Sequence, residues 1–136
     1  TQNDLTSVTL KAWSDDLSRA FADADLFCSP SLDEPFGLVI GEAMAMGLPV
    51  IAAETDGAIE PFDQHTSLSE ATLENGGLIV PAGDAEALAA AIGRFSADTE
   101  LRQTAGQNAR KRIETHFSHT NLAERLDQLI RTVSSL

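Results

Sequence analysis

Short apolar runs alternate with stretches of helical spacing along this chain, and that alternation sets the expected fold. Val8-Thr9-Leu10 is a brief extended candidate, and Ala24-Asp25-Leu26-Phe27-Cys28, Pro49 to Ala53 and Gly77-Leu78-Ile79-Val80 are three further predicted strands. Asp15 or Asp16 is placed to cap a helix reaching about Ala22, with Leu17, Ala20 and Phe21 at helical spacing. A second helix, from about Gly37 to Met46, should end at Gly47, with Pro49 just beyond. Asp84 is a predicted N-cap for a helix to about Phe95, whose Leu88, Ala91, Ile92 and Phe95 share one face. Leu101, Ala105, Ala109 and Ile113 stripe a helix over about 98–114. Ser118 is placed to cap the last helix, where Leu122, Leu126, Leu129, Ile130 and Val133 line up. Residues 54–76, with Gly57, Pro61 and Gly76, form a looser region.

Strands that alternate with helices predict the α/β class: a Rossmann-like parallel sheet with flanking helices. Four short strands make a thin layer for a doubly wound fold, so the domain is expected to be incomplete, against the alternative of a complete small four-stranded domain. The length of 136 residues suits one domain. The chain starts Thr1-Gln2-Asn3-Asp4, without an initiator Met or a basic region followed by an apolar stretch, and is expected to be part of a longer polypeptide. No apolar run is long enough for a transmembrane helix. A single cysteine, Cys28, fits a reducing cytoplasm and a buried, inert thiol, and leaves no cysteine cluster for zinc.

Charge narrows the partners. The formal net charge is −12, from 21 acidic and 9 basic residues, which argues against nucleic acid and against an anionic membrane surface. Its distribution says more: no Lys or Arg occurs from Ala20 to Gly93. A phosphorylated ligand bound in that stretch needs its cation from elsewhere.

The candidate chemistry lies between the second and third predicted strands. Glu34 and Glu42 stand eight positions apart, astride a turn at Gly37 and a helix start. In open α/β sheets such a strand-to-helix loop is where ligands bind. The first amides of that helix lack intrahelical partners and carry the positive end of its dipole, which suits a diphosphate. A carboxylate accepts two hydrogen bonds from a vicinal diol, so Glu42 suits a ribose. Glu34 suits a sugar hydroxyl or orients the loop itself. By themselves both carboxylates also fit a solvated surface. Glu60 either caps a helix, holds the site loop or is solvated. His65, His116 and His119 fit surface or packing roles, Trp13 and Phe21 fit the core, and Arg110-Lys111-Arg112 fits a solvated helix face.

The run Pro30-Ser31-x2-Glu34-Pro35-Phe36-Gly37-Leu38-x3-Glu42-Ala43-Met44-Ala45-x-Gly47-x-Pro49-Val50 resembles the donor-site signature of retaining glycosyltransferases of the glycogen-synthase-like, group 1 type (family 4). The similarity continues through Gly57 and Glu60, Asn75-Gly76-Gly77-Leu78-Ile79-Val80-Pro81, Asp84, Ala87-Leu88-Ala89, and Arg110 before Phe117-Ser118. Such enzymes have two facing Rossmann-like domains, the GT-B fold. The resemblance implies that residues 1–136 are a partial nucleotide-sugar binding domain, half of a GT-B C-terminal domain, with its N-terminal part and the acceptor domain absent.

By the same resemblance Glu42 holds the nucleotide ribose and Glu34, the nominated catalytic residue, contacts the donor sugar. The Phe36-Gly37-Leu38 amides touch sugar and phosphate, with Val39 beside them. The implied reaction moves a sugar from a nucleoside-diphosphate sugar to an unknown acceptor with retained anomeric configuration, without metal or cofactor. The isolated segment is expected to be inactive. Departures are the family's diphosphate-binding Lys and Arg, which lie before this segment, Pro35 in place of a frequent Gly, and Ser118-His119 in place of Ser-Trp. Self-association through an exposed sheet edge is also expected, and peripheral membrane contact only through the missing domain. Competing readings are a non-catalytic nucleotide-sugar binding or assembly module and a related two-domain epimerase.

Overall fold

The computed structural model describes residues 7–12, 16–62 and 71–134. In chain order they form α1 (Leu17–Ala22), β1 (Phe27–Ser29), α2 (Leu38–Ala45), β2 (Val50–Ala53), α3 (Asp56–Ile59) and a 3-10 turn (Glu60–Phe62). Then follow α4 (Ala71–Glu74), β3 (Gly77–Val80), α5 (Ala85–Ala97), α6 (Thr99–His116) and α7 (His119–Ser134). The strands make one parallel sheet in the order β1-β2-β3, with Phe27 opposite Val50 and Val50 opposite Gly77. Parallel neighbours need crossovers. One contains α2, and the other contains α3, the turn and α4.

The centre of the sheet is buried on both faces, as its unbroken apolar sequence requires. Val50 and Ala52 of β2 join Ile40, Ala43, Met44, Phe62 and Ala109 in one cluster. Ile51 joins Val80, Ala91, Phe95 and Ala105 in another. The alternation along β2 is the pleat of a strand. Phe21 of α1 meets Phe27 of β1 edge-to-face, with ring centroids 5.7 Å apart.

The predicted caps at Asp16, Asp84 and Ser118 are in place. Their side-chain oxygens accept from the amides of Arg19, Ala87 and Asn121 respectively. The bonds from Ser18 and Arg19 hold the Asp16 carboxyl below its ordinary range. Gly47 ends α2 as predicted: its amide donates to the Met44 carbonyl at 2.9 Å, and that of Leu48 to Ala43 at 3.1 Å, a Schellman pair. Trp13, Asp15 and His65 lie outside the described residues.

Several expectations need correction. Val8-Thr9-Leu10 is exposed and belongs to no strand, because no described segment offers it a ladder. The strand predicted over 24–28 starts only at Phe27, since the Ala24 amide bonds to the Phe21 carbonyl and closes α1. Within the region 54–76, the described residues include α3, the turn and α4, more regular structure than the composition suggests. Three residues of the α7 stripe, Leu122, Leu126 and Ile130, are exposed. Among the described residues no helix is long and apolar enough to cross a membrane.

Two measurements check this core. Phe95→Ala should cost about 3–5 kcal/mol in denaturant unfolding, because Phe95 is fully buried, whereas Ile92, expected on the same face, lies at its exposed margin, and Ile92→Ala should cost less. Cys28 is half-buried, and desolvation pushes its thiol up from the ordinary range. Its alkylation by iodoacetamide at neutral pH should therefore be slower than that of an exposed cysteine peptide and should accelerate on unfolding.

Candidate functional site

β1 brings the chain to the C-terminal edge of the sheet at Ser29, and residues 30–37 carry it into α2. The loop closes on the side chain of Glu34. Its Oε1 accepts from the amide of Gly37 at 3.1 Å and from that of Phe36 at 3.4 Å. The main-chain carbonyl of Glu34 accepts from the Gly57 amide at 2.9 Å, tying the loop to α3 just beyond β2.

That approach needs two residues without side chains. A Cβ on Gly57 would lie 2.1 Å from the Glu34 carbonyl oxygen. One on Gly37 would lie 2.4 Å from the Gly57 oxygen, and Gly37 has a left-handed φ of 59°. Gly37 is buried, while Phe36 and Leu38 on either side are each 74% exposed.

Gly37 is also the N-cap of α2, and its carbonyl accepts the first helical bond, from Gly41 at 3.0 Å. The amides of Leu38, Val39 and Ile40 precede that bond and are the orphan donors of the helix start. Val39 is half-buried and packs against the first core cluster, so its side chain serves the core. Glu42 is exposed on α2, although the adjoining Ala43 and Met44 are buried. Among the described residues neither Glu34 nor Glu42 forms an ion pair.

Of the six residues singled out by sequence, the structure joins Glu34, Phe36 and Gly37 by hydrogen bonds. Leu38 is beside them, Val39 turns to the core and Glu42 stands apart on the exposed helix face. Gly57, not Glu60, holds the loop, and Glu60 is exposed. The sequence signal for Gly57 was the Thr55-Asp56-Gly57 turn directly after a strand. Its partner 23 positions earlier was not legible. The Thr55 hydroxyl, beside this contact in sequence, is buried with no partner among the described residues.

Four arginines are engaged within the fold. Arg102 donates to the Phe95 carbonyl at 2.7 Å and Arg112 to that of Pro61 at 2.5 Å. Arg110 pairs with Glu114 and Arg131 with Asp127 on exposed helix surfaces. Two recesses adjoin the described residues, the first at the same C-terminal sheet edge as the Glu34 loop. One, apolar and of about 140 Å³, is bounded by Pro30, Val80, Pro81 and Leu88. The other, polar and of about 220 Å³, is bounded by Asn75, Asn108, Lys111 and Arg112. Neither includes Glu34 or Glu42. Among the described residues no group of three His, Cys, Asp or Glu side chains is gathered as for a metal ion.

Comparison with known proteins gives one consistent result. Residues 2–112 match the family described as glycosyl transferases group 1. The capsular polysaccharide biosynthesis glycosyltransferase CapM of Staphylococcus aureus is 37% identical over 127 residues, which are 92% of this chain and 30% of that protein. Sucrose-phosphate synthase from Thermosynechococcus elongatus superposes with a TM-score of 0.71 at 38% identity, over 88% of this chain and 28% of its own. HepE of Anabaena, solved in complex with UDP, superposes with a TM-score of 0.70 at 31% identity, over 90% of this chain and 31% of its own. The chain thus spans less than a third of the length of each.

The glycine contact is open to a direct test. Gly57→Ala should push the loop off α3 and cost about 1–3 kcal/mol in denaturant unfolding, as overpacking does. A methyl group on Gly41 of α2 would meet nothing within 4 Å. Gly41→Ala should therefore stabilise the helix by about 0.5–1 kcal/mol.

Proposed function

The chain belongs to the glycosyl transferases group 1 family, and from that membership we propose that it is the donor-binding part of a retaining, family 4 transferase. The parent enzyme moves a sugar from a nucleoside-diphosphate sugar to an acceptor. The observation that carries this reading is the loop-and-helix start beyond β1, where orphan amides at Leu38–Ile40 follow the turn held by Glu34, with Glu42 exposed further along the same helix and neither carboxylate in an ion pair among the described residues. HepE, a relative by structure and sequence, is solved with UDP, which supports a nucleoside diphosphate as the common part of the ligand.

Each group then has a distinct task. When the bond between the anomeric carbon and the diphosphate oxygen breaks, negative charge develops on the leaving group. The α2 amides and dipole stabilise that charge without reorganising. Glu42, exposed on the same helix, accepts from the ribose diol, and Glu34 accepts from a hydroxyl of the donor sugar. The acceptor hydroxyl oxygen bonds to the anomeric carbon from the face that the diphosphate leaves and passes its proton to the departing diphosphate oxygen, which retains the configuration. No metal or cofactor enters this scheme. Cations for the diphosphate, and the acceptor site, come from polypeptide outside this chain, and a cytoplasmic location suits such donors. The outer edge of β1 is unpaired among the described residues, so self-association through it belongs to the same proposal.

Calorimetry with UDP, GDP and ADP tests the assignment. In the parent enzyme Glu42→Ala should weaken the preferred diphosphate by about 1.5–3 kcal/mol, as for hydrogen bonds to a charged group. An unchanged affinity would leave Glu42 with no ribose contact. The purified 136-residue chain should not turn over a nucleotide sugar. In the parent enzyme, proton NMR of the product should show the donor's anomeric configuration, and an inverted product would overturn the retaining assignment.

A further inference from the structure

The amides of Phe36, Gly37 and Leu38 are the ones that resemblance gives to the donor, but two of the three already have an acceptor. Glu34 Oε1 lies 3.4 Å from the Phe36 nitrogen and 3.1 Å from the Gly37 nitrogen. Each amide has a single hydrogen, so it does not serve a carboxylate and a phosphate at full strength together. The next donors along the chain, Leu38, Val39 and Ile40, precede the first helical bond and are uncommitted within α2. Both bonds reach the same carboxylate oxygen, and among the described residues Oε2 accepts none.

We propose that Glu34 is a positioning residue: Oε1 locks the Phe36–Gly37 turn so that α2 presents the amides of Leu38–Ile40 to the diphosphate, and Oε2 is the oxygen left for the donor sugar. This rests on the transferase reading above. The lock is needed because a glycine visits left-handed and right-handed backbone almost equally in a free chain. Only the left-handed turn at Gly37 starts α2 here while its backbone lies against Gly57. Glu34 favours that turn twice, through charge-assisted bonds from its side chain and through its carbonyl on the Gly57 amide. The side chain therefore acts on the nucleotide through the helix start as well as on the sugar directly.

The two roles separate in ligands without a sugar. Glu34→Gln keeps an acceptor oxygen for the turn, whereas Glu34→Ala removes it. The test combines calorimetry with UDP, GDP and ADP and ligand-free hydrogen exchange, on the parent enzyme as wild type and both variants, with the β2 amides as the check of folding. In Glu34→Ala the Phe36 and Gly37 amides should exchange about tenfold faster and the diphosphate should bind about tenfold more weakly, as for loss of a charged acceptor. Glu34→Gln should stay near wild type in both. Unchanged exchange and affinity in Glu34→Ala would overturn the positioning role and leave only the sugar contact. Tighter diphosphate binding in Glu34→Ala would overturn it as well, because carboxylate and phosphate would then compete for the same amides. Should the parent enzyme bind none of the three diphosphates, the nucleoside-diphosphate donor reading fails, while the exchange rates still decide whether Glu34 holds the turn.

Discussion

The hydrogen bond from the Gly57 amide to the Glu34 carbonyl is the constraint on which the site geometry depends. β1 and β2 are parallel neighbours, so they deliver their following loops to the same sheet edge about 5 Å apart. Ordinary side chains would force those loops to splay. Here Gly37 and Gly57 remove the obstruction, and the two main chains meet directly. The start of α2 is thereby fixed relative to α3, and the orphan amides of α2 acquire a defined position above the sheet.

The other end of α2 is fixed independently, by the Schellman bonds at Gly47 and Leu48. Between the two ends, Ile40, Ala43 and Met44 are fully buried against the sheet. Helical geometry then settles the direction of Glu42. It lies two positions from Ile40 and two from Met44, so its side chain emerges roughly opposite the buried stripe. The exposure that makes Glu42 available to a ligand is thus a consequence of packing by its neighbours. The same logic removes Val39, whose position on the helix directs it to the core.

Local signals made much of this legible in sequence. Apolar runs marked all three strands, and Asp16, Asp84 and Ser118 marked helix starts because a cap acts on an amide only three residues away. Expectations failed where the deciding bond was not local or where two local structures competed. Ala24 went to the end of α1 instead of to the strand, and Val8-Thr9-Leu10 found no ladder. The spacing of Glu34 and Glu42 marked the site, but the engagement of Glu34 with its own turn depends on the left-handed Gly37 and on a glycine 23 positions later. For α7, periodicity aligned Leu122, Leu126 and Ile130 correctly, yet alignment on one face says nothing of whether another element covers it.

Charge divides the work of the proposed site. No Lys or Arg occurs from Ala20 to Gly93, so what this stretch itself offers a phosphate at the start of α2 is its peptide groups, worth about 0.3–1 kcal/mol per charge at an exposed helix end. Asp33, Asp56 and Glu60 are exposed on the adjoining segments and oppose an incoming phosphate. This stretch is therefore poorly equipped to hold a diphosphate by charge and well equipped to accept hydrogen bonds from hydroxyls. On the proposed reading that balance separates donor from product. In the donor, the second oxygen of Glu34 is paired with a sugar hydroxyl. After transfer the hydroxyl has gone, and the carboxylate faces a diphosphate that carries additional negative charge. Repulsion between like charges then acts on the product and not on the donor, and it acts more strongly the more completely the site excludes water.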